Sequence, residues 1–157
     1  MKLPLVRIDS RLSHGKVVEI WCEKYGIDKV IIANDRVATD DFRQEVMNLT
    51  IPENIEATYL KVADVKDFLE KNPGDYFTIV ESPEDLEKIA DSGIKIEKLN
   101  IGIIHMQEGK KSLTEEVAVD DNDLRIFKKL KEAGTEIAVR LSPFASKKSL
   151  DEFFLQY

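Results

Sequence analysis

Short apolar runs alternate with amphipathic helical patterns along almost the whole chain, and this alternation constrains the fold more than any other feature. Strands are predicted at residues 3–8, 29–33, 56–61, 76–80, 98–103 and 136–141. Helices are predicted at residues 15–25, 39–49, 63–69, 82–91, 120–133 and 146–155, with a loop and a short edge strand between 104 and 119. Such alternation predicts an α/β fold, an open, mainly parallel twisted sheet with helices on both faces. We expect a single domain spanning residues 1–157.

The buried faces of the helices are predicted from the spacing of their apolar residues. Trp21 and Cys22 lie on the apolar side of the first predicted helix, so we interpret the cysteine as a core residue rather than a redox group. In the second predicted helix Phe42, Val46 and Leu49 share one face, which we expect to point inward.

Composition excludes several classes of function. The formal net charge of −7 argues against nucleic acid as a partner, because no basic excess is present to neutralise phosphates. A single cysteine fits a reducing cytoplasm. We find neither a signal peptide nor an apolar run of membrane-spanning length, so a membrane role would act through a partner. The two histidines are not spaced like metal ligands, so we expect no metal. The glycine-rich motifs that bind nucleotides are absent, so we expect no bound cofactor.

One strand-to-helix turn gathers the residues best suited to chemistry. Arg7 and Arg11 flank the end of the first predicted strand, and His14 and Gly15 open the first predicted helix. In an open α/β sheet that turn lies at the carboxyl end of a strand, where ligands bind, and the amides that open the helix favour an anion. Guanidinium groups suit phosphate oxygens, so an imidazole beside them suits a phosphoryl carrier. The alternative is an ordinary surface histidine with solvated arginines.

Two further residues leave their roles open at this stage. His105 follows a predicted strand and either shares the sheet edge with His14 or is a surface loop residue. Asp35 ends the second predicted strand and either lines the site, bonds a loop residue or belongs to a helix-entry turn.

Residues 6–18, V-R-I-D-S-R-L-S-H-G-K-V-V, resemble the start of the IIB components of the mannose/fructose/sorbose family of the bacterial phosphoenolpyruvate:sugar phosphotransferase system, which usually show R-I-D-D-R-L-I-H-G-Q-V. Further blocks are similar at residues 29–35, 99–102, 117–120 and 127–130. This chain departs from the family pattern at Ser10, Ser13, Lys16 and Ile103.

The resemblance implies a protein-N(pi)-phosphohistidine–sugar phosphotransferase. His14 would accept a phosphoryl group from a phosphorylated IIA protein and give it to a sugar held by membrane IIC and IID components. The chain would then be cytoplasmic and peripherally associated with the transporter. Arg11 would bind the equatorial phosphate oxygens. Supporting roles around the phosphate are predicted for Arg7, which assists or pairs with Asp9, and for Asp9, Ser13, Gly15, Lys16 and Asp35.

Two alternatives stay open beside this function. A stand-alone relative phosphorylated at His14 could signal through a protein partner without passing phosphate to sugar. A small-anion binding module could use the turn of Arg7 and Arg11 alone. Both a monomer and a homo-oligomer are compatible with the sequence.

Overall fold

A six-stranded parallel sheet forms the centre of the protein in the computed structural model, which describes residues 1–12, 15–148 and 150–151. This central sheet consists of β2, β3, β4, β5, β7 and β10, and the other strands form short pairs beside it. In chain order the strands are β1 (Lys2–Leu3), β2 (Leu5–Asp9), β3 (Lys29–Ala33), β4 (Glu56–Leu60), β5 (Phe77–Val80), β6 (Lys95–Ile96), β7 (Lys98–Ile103), β8 (Lys111–Ser112), β9 (Ala118–Val119) and β10 (Glu136–Val139). The helices are α1 (Gly15–Tyr25), α2 (Asp41–Asn48), α3 (Val65–Lys71), α4 (Pro83–Asp91) and α5 (Asp121–Glu132), with 3₁₀ turns at Val37–Thr39 and Val62–Asp64.

The central sheet has the strand order β10-β7-β2-β5-β3-β4, and every neighbouring pair is parallel. The predicted fold class is therefore confirmed. β2 lies in the middle of the sheet between β5 and β7, so the turn that follows it opens at the centre of the carboxyl edge. No helix in the described part of the chain is long and apolar enough to cross a membrane.

Side-chain alternation along the strands divides the core between the two faces of the sheet. On one face, residues such as Val6 and Ile8 of β2 join the buried side chains of α3, α4 and α5. On the other face, Leu5 of β2 packs with the buried residues of α1 and α2, among them Trp21 and Cys22. Helices thus cover both faces, and the cysteine is a core residue as predicted.

Capping explains why two helices begin where the sequence predicts. The Ser82 side chain accepts a hydrogen bond from the Asp85 amide, and Pro83 occupies the first turn of α4. At α5, Asp120 and Asp123 form a reciprocal capping box. These contacts satisfy amides that have no partner within the helix.

The predicted packing of α2 is wrong. Phe42, Val46 and Leu49 are exposed, and Met47 is the buried residue of this helix. A hydrogen bond from the Gln44 side chain to the Val37 carbonyl, 2.8 Å, also lies on the inward side. The helix is therefore rotated so that its apolar stripe points away from the sheet.

Three other predicted boundaries change. The first strand divides at Pro4, which has no amide to donate, and β1 pairs with β6 outside the central sheet. Residues 104–119 contain the small antiparallel pair of β8 and β9. Half of the predicted helix at 146–155 lies outside the described residues, and Lys148 within it forms an antiparallel bridge to Val139 instead.

Candidate functional site

Hydrogen bonds among residues 9–12 close the described part of the turn after β2. The Asp9 carbonyl accepts from the Leu12 amide at 2.8 Å, and the Asp9 carboxylate accepts from the Arg11 amide at 2.9 Å. Leu12 has a left-handed backbone, φ +65°, and its side chain is buried in the α1 face of the core. A leucine keeps this costly conformation only where packing enforces it, so the chain leaves β2 in a defined direction. Ser13 and His14 lie outside the described residues, and α1 begins at Gly15.

Arg7 is fully buried beneath the turn, although it carries a guanidinium group. Its Nε and Nη2 donate to Asp9 Oδ2 at 3.3 and 3.2 Å. Its Nη1 donates to Asn100 Oδ1 at 2.6 Å and to the backbone carbonyl of Leu141 at 3.1 Å. Of the two roles open for Arg7 in the sequence, the structure therefore shows the pairing with Asp9. Burial lowers the pKa of Arg7, and the Asp9 carboxylate opposes that shift.

Gly102 makes room for this buried guanidinium. A Cβ at residue 102 would lie 2.2 Å from Arg7 Cζ, so only glycine fits there without a shift of the arginine. The Trp21 ring lies near the same guanidinium, with Arg7 Cζ 5.7 Å from the ring centroid. The register of β2 and β7 pairs Arg7 with Asn100, which places these polar groups on the α1 face of the sheet.

Arg11 lies at the surface end of this network, with 38% of its side chain exposed. Its Nε donates to Asp9 Oδ1 and its Nη2 to Asp9 Oδ2, each at 3.1 Å. These two bonds hold one edge of the guanidinium. The N–H groups of Nη1 and the second N–H of Nη2 donate to no other group among the described residues. Asp9 thus orients a cation whose outer edge is available to an anion.

The helix that follows the turn starts in a tightly packed position. A Cβ on Gly15 would lie 2.0 Å from the Thr50 carbonyl oxygen, so the start of α1 is packed directly on the segment after α2. Lys16 is exposed in the first turn of α1, with its Nζ 3.9 Å from a Glu19 carboxylate oxygen. α1 begins directly after the turn, and the free amides of a helix start favour an anion.

Ser10 links the turn to the neighbouring strand end. Its amide donates to the Ile103 carbonyl at 2.9 Å, and its hydroxyl accepts from the His105 amide at 3.0 Å. His105 is exposed and follows β7 at the same sheet edge, so the structure brings it beside the turn of Arg11.

Asp35 forms part of a separate polar group further along the edge. Its carboxylate accepts from the Val62 amide at 2.9 Å, which joins the end of β3 to the 3₁₀ turn after β4. Next to it, Glu81 at the end of β5 accepts from the Asn34 side chain at 2.7 Å and from Arg36 at 2.6 Å. Glu81 is a residue that our sequence reasoning missed, and its position directly after an apolar strand is the signal that could have found it.

The network of Asn100 was also missed as a functional feature. Its amide group donates to the Arg140 carbonyl at 2.8 Å while its oxygen accepts from Arg7. The only sequence signal was the N-x-G pattern of Asn100 and Gly102 in β7. Within the described part of the chain, no group of three or more His, Cys, Asp or Glu side chains is placed to hold a metal ion.

Comparison with known proteins supports one family over nearly the full length. The chain matches the family model of the PTS system sorbose subfamily IIB component over residues 3–157. The PTS system mannose-specific EIIAB component of Escherichia coli K12 is 32% identical over 143 residues, which cover 89% of this chain and 44% of that protein. The chain thus spans less than half the length of this relative.

Two relatives of similar size agree. The N-acetylgalactosamine-specific phosphotransferase enzyme IIB component 1 of Escherichia coli K12 is 29% identical over 156 residues, which cover 94% of this chain and 96% of that protein. The crystal structure of the IIBSor domain of the sorbose permease from Klebsiella pneumoniae has a TM-score of 0.88 at 26% identity, covering 99% of this chain and 98% of that one. The chain therefore belongs to the sorbose subfamily of PTS IIB components, as the residues around His14 had suggested.

Proposed function

We propose that this IIB component accepts a phosphoryl group on His14 from a phosphorylated IIA protein and transfers it to a sugar. The observation that carries the proposal is that the buried carboxylate of Asp9 orients Arg11, which stands three residues before the histidine. A positioned guanidinium and a helix start are what phosphoryl transfer needs, because the reaction depends on placement and charge stabilisation.

In the first step a nitrogen of His14 attacks the phosphorus of the donor phosphohistidine in line. The new N–P bond forms as the donor's N–P bond breaks, and the bonding pair returns to the donor imidazole. The outer N–H groups of Arg11 bind the equatorial oxygens, where charge collects in the transition state. The amides that open α1, together with Lys16, add positive potential. Arg7 is a positioning residue in this scheme, because it contacts Asp9 and not the phosphate.

In the second step the phosphoryl group leaves His14 for a hydroxyl oxygen of the sugar. A P–O bond forms, the N–P bond breaks, and the hydroxyl proton is released. We place the sugar in the membrane IIC and IID components, so that this chain works while peripherally associated with the transporter. The relative named EIIAB unites an A and a B component in one protein, which supports a IIA protein as the donor.

The nucleophile is tested by comparing the two histidines. His14→Ala is expected to take no phosphate from phospho-IIA, whereas His105→Ala is expected to be labelled like the wild type. Labelling of His14→Ala at the wild-type rate would contradict the proposal. Phosphate that reaches His14 but never a sugar, in membranes that contain IIC and IID, would favour the signalling alternative.

The role of Arg11 is tested with a substitution that keeps its charge. Arg11→Lys removes the planar fork that holds the carboxylate on one edge and an anion on the other. We expect the single-turnover transfer rate to fall by about 10²-fold, as for other lost transition-state donors. Because Arg11 is partly exposed, the thermal unfolding midpoint should change little. Near-normal transfer would show that Arg11 is only a surface charge.

A further inference from the structure

Helix α2 presents an apolar stripe to solvent. Phe42, Val46 and Leu49 are 75%, 47% and 86% exposed, and their spacing of four and three residues places them on one side of the helix. The opposite side is the one that packs, through Met47 and the hydrogen-bonded Gln44. Three large apolar side chains in one stripe differ from the scattered exposed residues that a surface normally carries.

The stripe lies at the same edge of the sheet as the proposed phosphorylation site. The Asn48 side chain accepts from the Tyr59 hydroxyl at 2.7 Å, near the carboxyl end of β4. Thr50, the residue after Leu49, is the one whose carbonyl is packed against Gly15 at the start of α1. The exposed leucine therefore lies one residue from the segment that packs on Gly15, the first residue of α1 after the turn.

We propose that this α2 stripe is a docking surface for the phosphorylated IIA donor, an inference that rests on the proposed function. A donor that brings its phosphohistidine to His14 must cover the surface around the turn. A standard interface of about 800 Å² per partner corresponds to a disc of roughly 16 Å radius. The seven-residue step from Phe42 to Leu49 is only about 10 Å long in a helix, so the whole stripe fits within such a footprint.

The area of the stripe favours a transient partner over a second copy of this chain. Three side chains of this size offer on the order of 400 Å² to a partner, about half of a standard interface. A stable dimer built on the stripe alone would lack area. A donor that also contacts the charged turn buries further area there, and Arg11 and Lys16 attract its phosphoryl group.

The test is transfer from a phospho-IIA protein that labels the wild-type chain, measured against donor concentration. For the double variant Phe42→Ser, Leu49→Ser we expect the apparent KM for the donor to rise at least tenfold with an unchanged maximal rate. The control is Lys95→Ser, because Lys95 is exposed in β6, which pairs with β1 on the amino side of the sheet, away from the turn after β2. Its KM should equal that of the wild type.

Labelling by phosphoramidate, a small chemical donor for histidine, separates this inference from the proposed function. The double variant should be labelled by phosphoramidate like the wild type, which also shows that its turn is intact. A donor KM within twofold of the wild type would overturn the docking surface, whether sugar phosphorylation then falls or not. A shift from dimer to monomer in sedimentation, with an unchanged donor KM, would overturn it in favour of self-association. Failure of both donors to label wild-type His14 would refute the proposed function itself.

Discussion

Asp9→Asn is the substitution that best tests how the site is built. The Asp9 carboxylate accepts from Nε and Nη2 of Arg7 and from the amide, Nε and Nη2 of Arg11. Asparagine keeps the shape but has one acceptor oxygen, and its amide nitrogen would face a guanidinium donor. The change therefore removes the charge that balances two arginines.

The expected loss of stability depends on how deeply each of the two arginines is buried. Arg7 is fully buried, and Asp9 is its anionic partner among the described residues. Removing one partner of a buried ion pair costs about 3–5 kcal/mol, because the other charge stays in a poorly solvated place. For a domain of this size, about 2–4 °C of midpoint per kcal/mol gives a fall of roughly 6–20 °C. Arg11 is partly exposed, so loss of its pairing adds little.

The assay is urea unfolding at neutral pH together with a thermal scan. Arg11→Gln serves as the matched control, since it removes the exposed partner of the same carboxylate and leaves the buried pair intact. Its free energy of unfolding should stay within about 1 kcal/mol of the wild type. If Asp9→Asn also stays within that range, the carboxylate does not balance Arg7, and the reasoning about the buried network fails.

Three further predictions follow from single residues. Gly102→Ala places a methyl group 2.2 Å from Arg7 Cζ. We expect the free energy of unfolding in urea to fall by about 1–3 kcal/mol. An unchanged free energy of unfolding would show that the arginine moves freely. Burial raises the pKa of the Cys22 thiol to about 12, so thiol reagents at pH 8 should label it only after unfolding, and rapid labelling of the folded protein would contradict this. Hydrogen bonds from two α5 cations hold the pKa of Glu87 at about 2 instead of 4.5. The stabilisation from this carboxylate is therefore present above pH 4.5 and is lost as the pH falls toward 2. Over that range the free energy of unfolding should fall less for Glu87→Gln than for the wild type. Parallel plots of the free energy of unfolding against pH for the two proteins would refute the prediction.

The helices α1 and α2 show how far periodicity carries a prediction. Both have an apolar stripe, and in α1 the residues Trp21 and Cys22 are buried as expected. In α2 the stripe of Phe42, Val46 and Leu49 is exposed. Periodicity states that a helix has an apolar face, but it does not state which surface covers that face. That surface belongs to the protein's own sheet for α1 and, in our proposal, to another protein for α2.

The candidate site also has a part that the sequence predicts and a part that it does not. The positions of Asp9, Arg11 and Gly15 on a strand-to-helix turn follow from local pattern, because they lie within a few residues of one another. The role of Arg7 does not, since its side chain appeared equally able to bind phosphate or to pair with the aspartate. Its complete burial decides that question.

The sequence by itself determined the alternation of strands and helices, the helix starts that carry their own caps, and the turn after the first long strand. These depend on interactions between residues close in the chain, whose chemistry is written in their order. Only the tertiary structure decided that Arg7 meets Asn100, 93 residues away, and the Leu141 carbonyl, 134 residues away. Those partners are set by which parallel strands become neighbours and in which register, and the free energy that selects one arrangement comes from packing both faces of the whole sheet at once.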